Sequence, residues 1–297
     1  MFNKLCIIGV GLIGGSIAKT ARLQNLATVI VGFGREDDVQ NLQTARQIGV
    51  IDAYYLDIAV AVADADLVII ATPVASTADV LRLLQPYWSA NTVYTDVGST
   101  KGSVLAAAQA VFGQVPDNFV PAHPIAGAEQ SGVLAAVDGL FANKRLIITP
   151  VETTDTEALR KIQRFWQGLG SAVSVMEATH HDQILAATSH LPHILAFALV
   201  DMLGHKDEQS EIFKYAAGGF KDFTRIASSD PGMWTAICEA NKQEILPLID
   251  QLQMELAKLH DLLAADDYSQ LFATFAYAKT ARQRFLEQFD KQQNQLQ

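Results

Sequence analysis

The run Leu5-Cys6-Ile7-Ile8-Gly9-Val10-Gly11-Leu12-Ile13-Gly14-Gly15-Ser16 constrains this chain more than any other stretch. An apolar segment of strand length ends in Gly-x-Gly-x-x-Gly and passes into a helical pattern. Gly9 permits a tight strand-to-helix turn, Gly11 lets a pyrophosphate approach the backbone, and Gly14 lets the helix pack close against the strand. The helix start at Leu12 and Ile13 offers unpaired N–H groups and a partial positive charge to phosphate. The same spacing occurs in any tight β-to-α turn. Here the strand-turn-helix context favours a dinucleotide site.

From Ala27 to Met176 strands alternate with helices. Ala27 to Phe33, Leu67 to Ala71, Thr92 to Asp96, Phe119 to Ala122, Leu146 to Thr149 and Ala172 to Met176 read as strands. Between them, 38–48, 75–84, 101–112 and 155–168 read as helices. Such alternation predicts an α/β fold with a Rossmann-like, doubly wound, mainly parallel sheet. After Glu177 the pattern is helical throughout, over 178–203, 210–227, 231–263 and 267–289. The expected division is a dinucleotide-binding domain over 1–176 and an all-α substrate-binding and dimerisation domain over 177–297. Asp230 and Pro231 form an N-cap and first-turn pair. Pro192 and Pro247 fall inside helical patterns and should kink them. Pro192 also removes the hydrogen bond to the Thr188 carbonyl and opens the helix there. The stripe Ile245, Leu248, Ile249, Leu252, Leu256, Leu259 and Leu263 needs an apolar partner, which points to a homodimer. Residues 291–297 are polar and read as a frayed tail or a linker.

The net charge of −10 and the lack of a basic block argue against nucleic acid or a membrane surface as partner. The longest uninterrupted apolar runs are too short to cross a bilayer. The two cysteines, Cys6 and Cys238, make no ligand or disulfide pattern, which suits a reducing cytoplasm. Cys6, inside the first strand, reads as a small buried apolar residue.

In a doubly wound sheet the site lies beyond the carboxyl ends of the strands. Those ends give the glycine turn, Thr72-Pro73, the loop Asp96-Val97-Gly98-Ser99-Thr100-Lys101, and His123-Pro124-Ile125-Ala126-Gly127-Ala128-Glu129. Ser99 is either a helix N-cap or a site residue, or both. Lys101 reads as a solvated first-turn lysine. A strand-end histidine such as His123 is a candidate general base. In the helical half, His190 and His193 share a face. No further ligand has metal-site spacing, so no metal is expected. His180 and His181 open a helix and read as exposed. Arg225 is either an ion-pair partner of Asp222 or a clamp on a substrate carboxylate.

Taken together, these motifs resemble the TyrA family of prephenate, arogenate and cyclohexadienyl dehydrogenases over nearly the whole chain. The resemblance rests on 9–16, on 96–101, on the stretch from His123 to Gly132, on Ser189-His190-Leu191-Pro192-His193, on 222–227 and on 229–234. It implies oxidative decarboxylation of a cyclohexadienol dicarboxylate in tyrosine biosynthesis. Hydride would pass from C4 to a nicotinamide as the 4-hydroxyl loses its proton. His123 would accept that proton, and Ser99 would orient the hydroxyl and the nicotinamide. Arg225 would hold a substrate carboxylate. His193, His190 and Glu129 would line the side-chain end, with Trp234 packed nearby.

One departure concerns the cofactor. An NAD-specific fold carries an acid after the second strand. Here Gly34 and Arg35 stand there, which favours NADP over NAD, although Glu36 is close. Two other readings fit less well. A β-hydroxyacid dehydrogenase would need a lysine between Ala178 and Leu203, where there is none. A non-catalytic NADP-binding sensor would not need Ser99, His123 and Arg225 together.

Overall fold

Six parallel strands build the principal sheet in the order β3-β2-β1-β4-β5-β6. The computed structural model describes residues 1–128, 130–206 and 211–295. It divides into two units, Met1–Lys242 and Gln243–Gln297. The strands of the large sheet are β1 (Phe2–Ile8), β2 (Ala27–Phe33), β3 (Ala53–Tyr55), β4 (Leu67–Ile70), β5 (Val93–Asp96) and β6 (Phe119–Val120). The helices between them are α1 (Leu12–Leu23), α2 (Val39–Gln47), α3 (Ile58–Val62), α4 (Thr77–Leu84) and α5 (Gly102–Phe112).

The alternation of β1 explains the double winding. Leu5 and Ile7 enter one apolar core, Cys6 and Ile8 the other, and all four are buried. Strand β4 divides its residues the same way, Leu67 and Ile69 against Val68 and Ile70. A strand buried on both faces reads as a continuous apolar run, as these do. Burial pushes the Cys6 thiol up to about 12, so it behaves as a packed apolar group.

The sequence pattern missed β3 and α3, which are only three and five residues long. It also joined two strands into one. Pro121 cannot donate to a ladder, and it separates β6 from β7 (Ala122–Pro124). Strand β6 pairs with β5 in parallel, while β7 pairs antiparallel with β8 (Arg145–Ile148). Strand β9 (Ala172–Val175) completes this second, three-stranded sheet, after α6 (Thr156–Gly168). His123 therefore sits on the small sheet, immediately past the edge strand of the large one.

Beyond β9 the described chain is helical. Helices α7 (Ala178–Leu185) and α8 (Leu191–Gly204) are joined by a π turn over Ala186–His190. Pro192 lies in the first turn of α8. Its missing N–H is accommodated by this widened turn, so the helix continues instead of opening. The resulting Ala178–Gly204 segment is 27 residues long and contains an 18-residue window of mean hydropathy 1.4, long and apolar enough by length and composition to cross a membrane. Its apolar residues still fall in several shorter runs, interrupted by His190, Pro192 and His193. The segment is tied to the sheets by buried histidine and aspartate bonds, which mark it as a scaffold helix.

The single helix expected over 210–227 is instead α9 (Gly218–Thr224) flanked by short 3₁₀ turns, and its first residue lies outside those described. Helix α10 (Pro231–Ala240) is capped by the Asp230 carboxylate, which accepts from the Met233 N–H at 2.7 Å. Asn241 breaks the long helix expected over 231–263. The second unit holds nearly all of α11 (Lys242–Ala264) and all of α12 (Tyr268–Gln295). Pro247 lies within α11.

Candidate active site

Two of the cavities in the first unit hold residues singled out in the sequence. A cavity of about 520 Å³ is lined at the carboxyl ends of β1, β2 and β4 by Gly9, Gly11, Gly34, Arg35, Thr72 and Pro73. This is where strand order reverses, the usual place for a dinucleotide. Gly9 has φ +92°, which only glycine adopts without strain. A Cβ on Gly14 would stand 2.1 Å from the Gly9 carbonyl oxygen, so the helix packs on the turn only through glycine. A Cβ on Gly11 would meet nothing within 4 Å, which leaves its backbone open to the cavity. Leu12 and Ile13 start α1 without lining the cavity. The Thr72 hydroxyl is buried with no hydrogen-bond partner among the described residues. An open glycine turn, a helix N-terminus and an orphaned hydroxyl fit a dinucleotide.

The adenosine end holds a residue that sequence reasoning overlooked. Asp38 lines the cavity beside Gly34, whereas Glu36 does not. Arg35 is exposed and pairs with Asp37 at 3.1 Å. Asn41, also overlooked, ties the glycine turn down. Its amide donates to the Val10 carbonyl at 2.8 Å and its oxygen accepts from the Val133 N–H at 2.9 Å. No local pattern marks Asp38 or Asn41, because both are ordinary polar residues near the start of α2.

The second cavity, about 770 Å³, is lined by His123, His193, Arg225 and Trp234 among others. These come from β7, α8, the turn after α9, and α10. Trp234 stacks on His193 with ring centres 3.6 Å apart. Its indole N–H is buried and has no partner among the described residues. Ser99 lies in the β5–α5 loop, partly buried, and lines neither cavity. Nor does it cap α5, which begins at Gly102 after Lys101. Glu129 lies outside the described residues. His190 is buried and does not line the cavity. Its Nδ1 accepts from the Asn241 amide at 3.0 Å, and its ring meets Trp234 edge-on. Burial pushes His190 down to about 4, so it is neutral near pH 7. Burial also lowers His193, assisted by Arg225 and opposed by its bond to the Ser189 carbonyl.

Two expectations are corrected behind His123. Lys101 is fully buried, not solvated. Its ammonium donates to Asp96 Oδ2 at 2.5 Å and to the Ala122 carbonyl at 2.7 Å. The same carboxylate accepts from the Gly98 N–H at 2.8 Å and the Ala122 N–H at 3.1 Å. This knot fixes the end of β5 to the start of β7. His181 is also buried, although its neighbour His180 is exposed. Its Nε2 lies 2.9 Å from His123 Nδ1, and its Nδ1 lies 2.7 Å from Asp182 Oδ1. Asp182 in turn accepts the Lys101 and Gly102 N–H groups, both at 2.8 Å, and so caps α5 from a distant helix. Burial works against the Asp182 charge, but the His181 bond and these two N–H bonds outweigh it and hold its carboxyl below the usual range. Burial drives His123 well below the ordinary histidine value, with further lowering from His181, Lys101 and His190. The result is an uncharged imidazole at the cavity wall near pH 7, suited to accept a proton.

Sequence comparison decides the family. The prephenate dehydrogenase nucleotide-binding domain matches residues 17–175, and the prephenate dehydrogenase dimerization domain matches residues 177–277. The chain belongs to the prephenate dehydrogenase family. Within that family it is 34% identical to a cyclohexadienyl dehydrogenase of Zymomonas mobilis over 285 residues, which cover 95% of this chain and 96% of that protein. It is 37% identical to a prephenate dehydrogenase of Bacillus subtilis over 286 residues, 95% of this chain and 76% of that protein. The fold matches the crystal structure of Aquifex aeolicus prephenate dehydrogenase in complex with hydroxyphenyl propionate and NAD+. The TM-score is 0.89 at 34% identity, covering 96% of this chain and 99% of that one.

Proposed function

We propose that this chain catalyses the oxidative decarboxylation of prephenate, arogenate or both in tyrosine biosynthesis. The observation that carries the reading is the convergence of His123, His193, Arg225 and Trp234 on one cavity beside the dinucleotide cleft, in a member of the prephenate dehydrogenase family. His123 accepts the 4-hydroxyl proton at Nε2, because Nδ1 is engaged by His181. The substrate O–H bond breaks and an Nε2–H bond forms. Gly9, Gly11, Thr72, Pro73 and the start of α1 would hold a nicotinamide dinucleotide, which would supply the acceptor for the C4 hydride. The bond to the ring carboxylate then breaks, carbon dioxide leaves, and its electrons complete an aromatic ring. Arg225 binds a substrate carboxylate through its planar guanidinium. Trp234 offers its buried indole N–H, which has no partner among the described residues, and, with His193, walls the side-chain end. His190 acts behind Trp234, as its support.

The finer assignments rest on the same residues. Arg35 lines the dinucleotide cavity and would pair with a 2′-phosphate, so NADP serves at least as well as NAD. Asp38 is the acid that would take a 2′-hydroxyl. Ser99, in the β5–α5 loop, would orient the 4-hydroxyl and the nicotinamide, although it lines neither cavity. The domain boundary falls at 176/177. The protein is a homodimer, as the exposed Leu256, Leu263, Phe272 and Phe275 of its last two helices require cover. We assign it to a reducing cytoplasm, a reading that its two free cysteines support.

The test is to incubate the protein with NAD or NADP and either substrate, following nicotinamide reduction and carbon dioxide release together. Equal amounts of both products support the reading. Reduction without carbon dioxide release would favour a simple hydroxyacid dehydrogenase.

A further inference from the structure

A carboxylate can only accept hydrogen bonds, and that fact propagates through the row behind His123. Asp182 Oδ1 must accept from His181 Nδ1–H, across 2.7 Å. When His181 carries one proton, held on Nδ1 by this carboxylate, its Nε2 is bare and becomes an acceptor. At 2.9 Å, His123 Nδ1 must supply the proton for that bond. His123 is therefore left with its lone pair on Nε2. The row is anchored at its far end, since Asp182 is held by the Lys101 and Gly102 N–H groups at the start of α5. Both His181 and Asp182 are buried, so water does not compete for these bonds.

We propose that His181 is a positioning residue for His123, setting with Asp182 the tautomer in which Nε2 is free to take the substrate proton. The inference rests on the dehydrogenase reading above. It also supplies what a buried base lacks. When His123 becomes an imidazolium, its Nδ1–H keeps an acceptor in His181 Nε2, which is backed by a carboxylate. That bond keeps the Nδ1–H paired in a site where burial, His181, Lys101 and His190 all lower His123. Without His181 the Nδ1–H would be buried and unpaired, and the ring could rotate or switch tautomer.

The test combines kinetics with a spectroscopic readout on the whole protein. Selective ¹⁵N-histidine labelling, with His123→Asn used for assignment, reports which His123 nitrogen carries the proton. The expected wild-type state near neutral pH is Nδ1–H with Nε2 bare. His181→Leu should lower kcat about 10- to 100-fold, a share of what general-base catalysis supplies. The dinucleotide Kd should stay within about twofold, because neither His181 nor Asp182 lines that cavity. The charged and titratable groups around His123 are Lys101 and Asp96, then His181, Asp182, His190 and His193, and Arg225 across the cavity. Of these only His181 is removed, and it is one of the groups that lower His123, so the acid limb of kcat/KM should move upward in pH. His181→Gln, which retains an amide oxygen as acceptor, should recover most of the lost kcat. If His181→Leu does not fold, His181→Gln and the wild-type tautomer carry the test. An active wild type whose His123 is protonated on Nε2, or wild-type kcat in His181→Leu, overturns the role of His181 alone. Inactivity of the dinucleotide-bound wild type toward both substrates overturns the dehydrogenase reading, and this role with it.

Discussion

Replacing Lys101 by methionine keeps most of the side-chain volume and deletes one buried charge. Lys101 is 0% exposed and Asp96 2%, with 2.5 Å between ammonium and carboxylate. In the variant Asp96 keeps the Gly98 and Ala122 N–H groups but loses its counter-charge, and the Ala122 carbonyl loses a donor. Breaking a buried pair from one side costs about 3–5 kcal/mol, because the surviving charge remains buried. At about 2–4 °C per kcal/mol for a chain of this size, Tm should fall by about 6–20 °C. Arg82→Ala is the internal control. Its pair with Asp79 is 62% and 80% exposed, and such pairs contribute at most about 1 kcal/mol. Adding Asp96→Asn to Lys101→Met should restore part of the loss, since the orphaned charge is then gone. The assay is calorimetry with parallel urea unfolding at neutral pH. The variant also tests the coupling to the site. Lys101 is one of the charges that lower His123, so its removal should move the acid limb of kcat/KM upward in pH. A Tm within about 2 °C of wild type, near the effect of losing a surface pair, would refute the view that this knot holds β7 in place.

The site geometry sets further outcomes. His123→Asn should reduce kcat by about 10²-fold or more with little change in dinucleotide affinity, as measured by titration and steady-state kinetics. In the wild type, the base stays neutral below the ordinary histidine range, so kcat/KM should hold as pH falls and drop only below about pH 6.5, the unperturbed value. Arg225→Gln should act mainly on KM, by about 2–5 kcal/mol if the carboxylate pair is desolvated, and an unchanged KM with a lowered Tm would point to a structural role. Arg35→Ala should shift kcat/KM from NADP toward NAD by roughly ten- to a hundred-fold, a ratio readable in one competition assay. Sedimentation equilibrium at micromolar concentration should give twice the chain mass, and an active monomer would overturn the homodimer.

The glycine turn, the double winding of the large sheet and the change to helices after Glu177 were legible in the sequence because each is local. A Gly-x-Gly-x-x-Gly between strand and helix, or a run of residues buried on alternate faces, is set by neighbours a few positions apart. His123 and Arg225 could be singled out for the same reason, as a strand-end histidine and a cation in an apolar stretch of chain. The division of one expected strand at Pro121 was also local and could have been read from the proline's missing N–H. The surroundings of the base could not. Whether His181 is exposed like His180 or buried against His123 depends on a partner 58 residues away, and Asp182 caps a helix 80 and 81 residues upstream. A solvated first-turn lysine and a buried one look alike in sequence until the fold brings Asp96 and the Ala122 carbonyl to its ammonium. Local periodicity determines which face of an element is apolar. Only the packing of β5, β7, α5 and α7 against one another decides which polar groups are removed from water together, and that shared burial gives His123 its charge state and its tautomer.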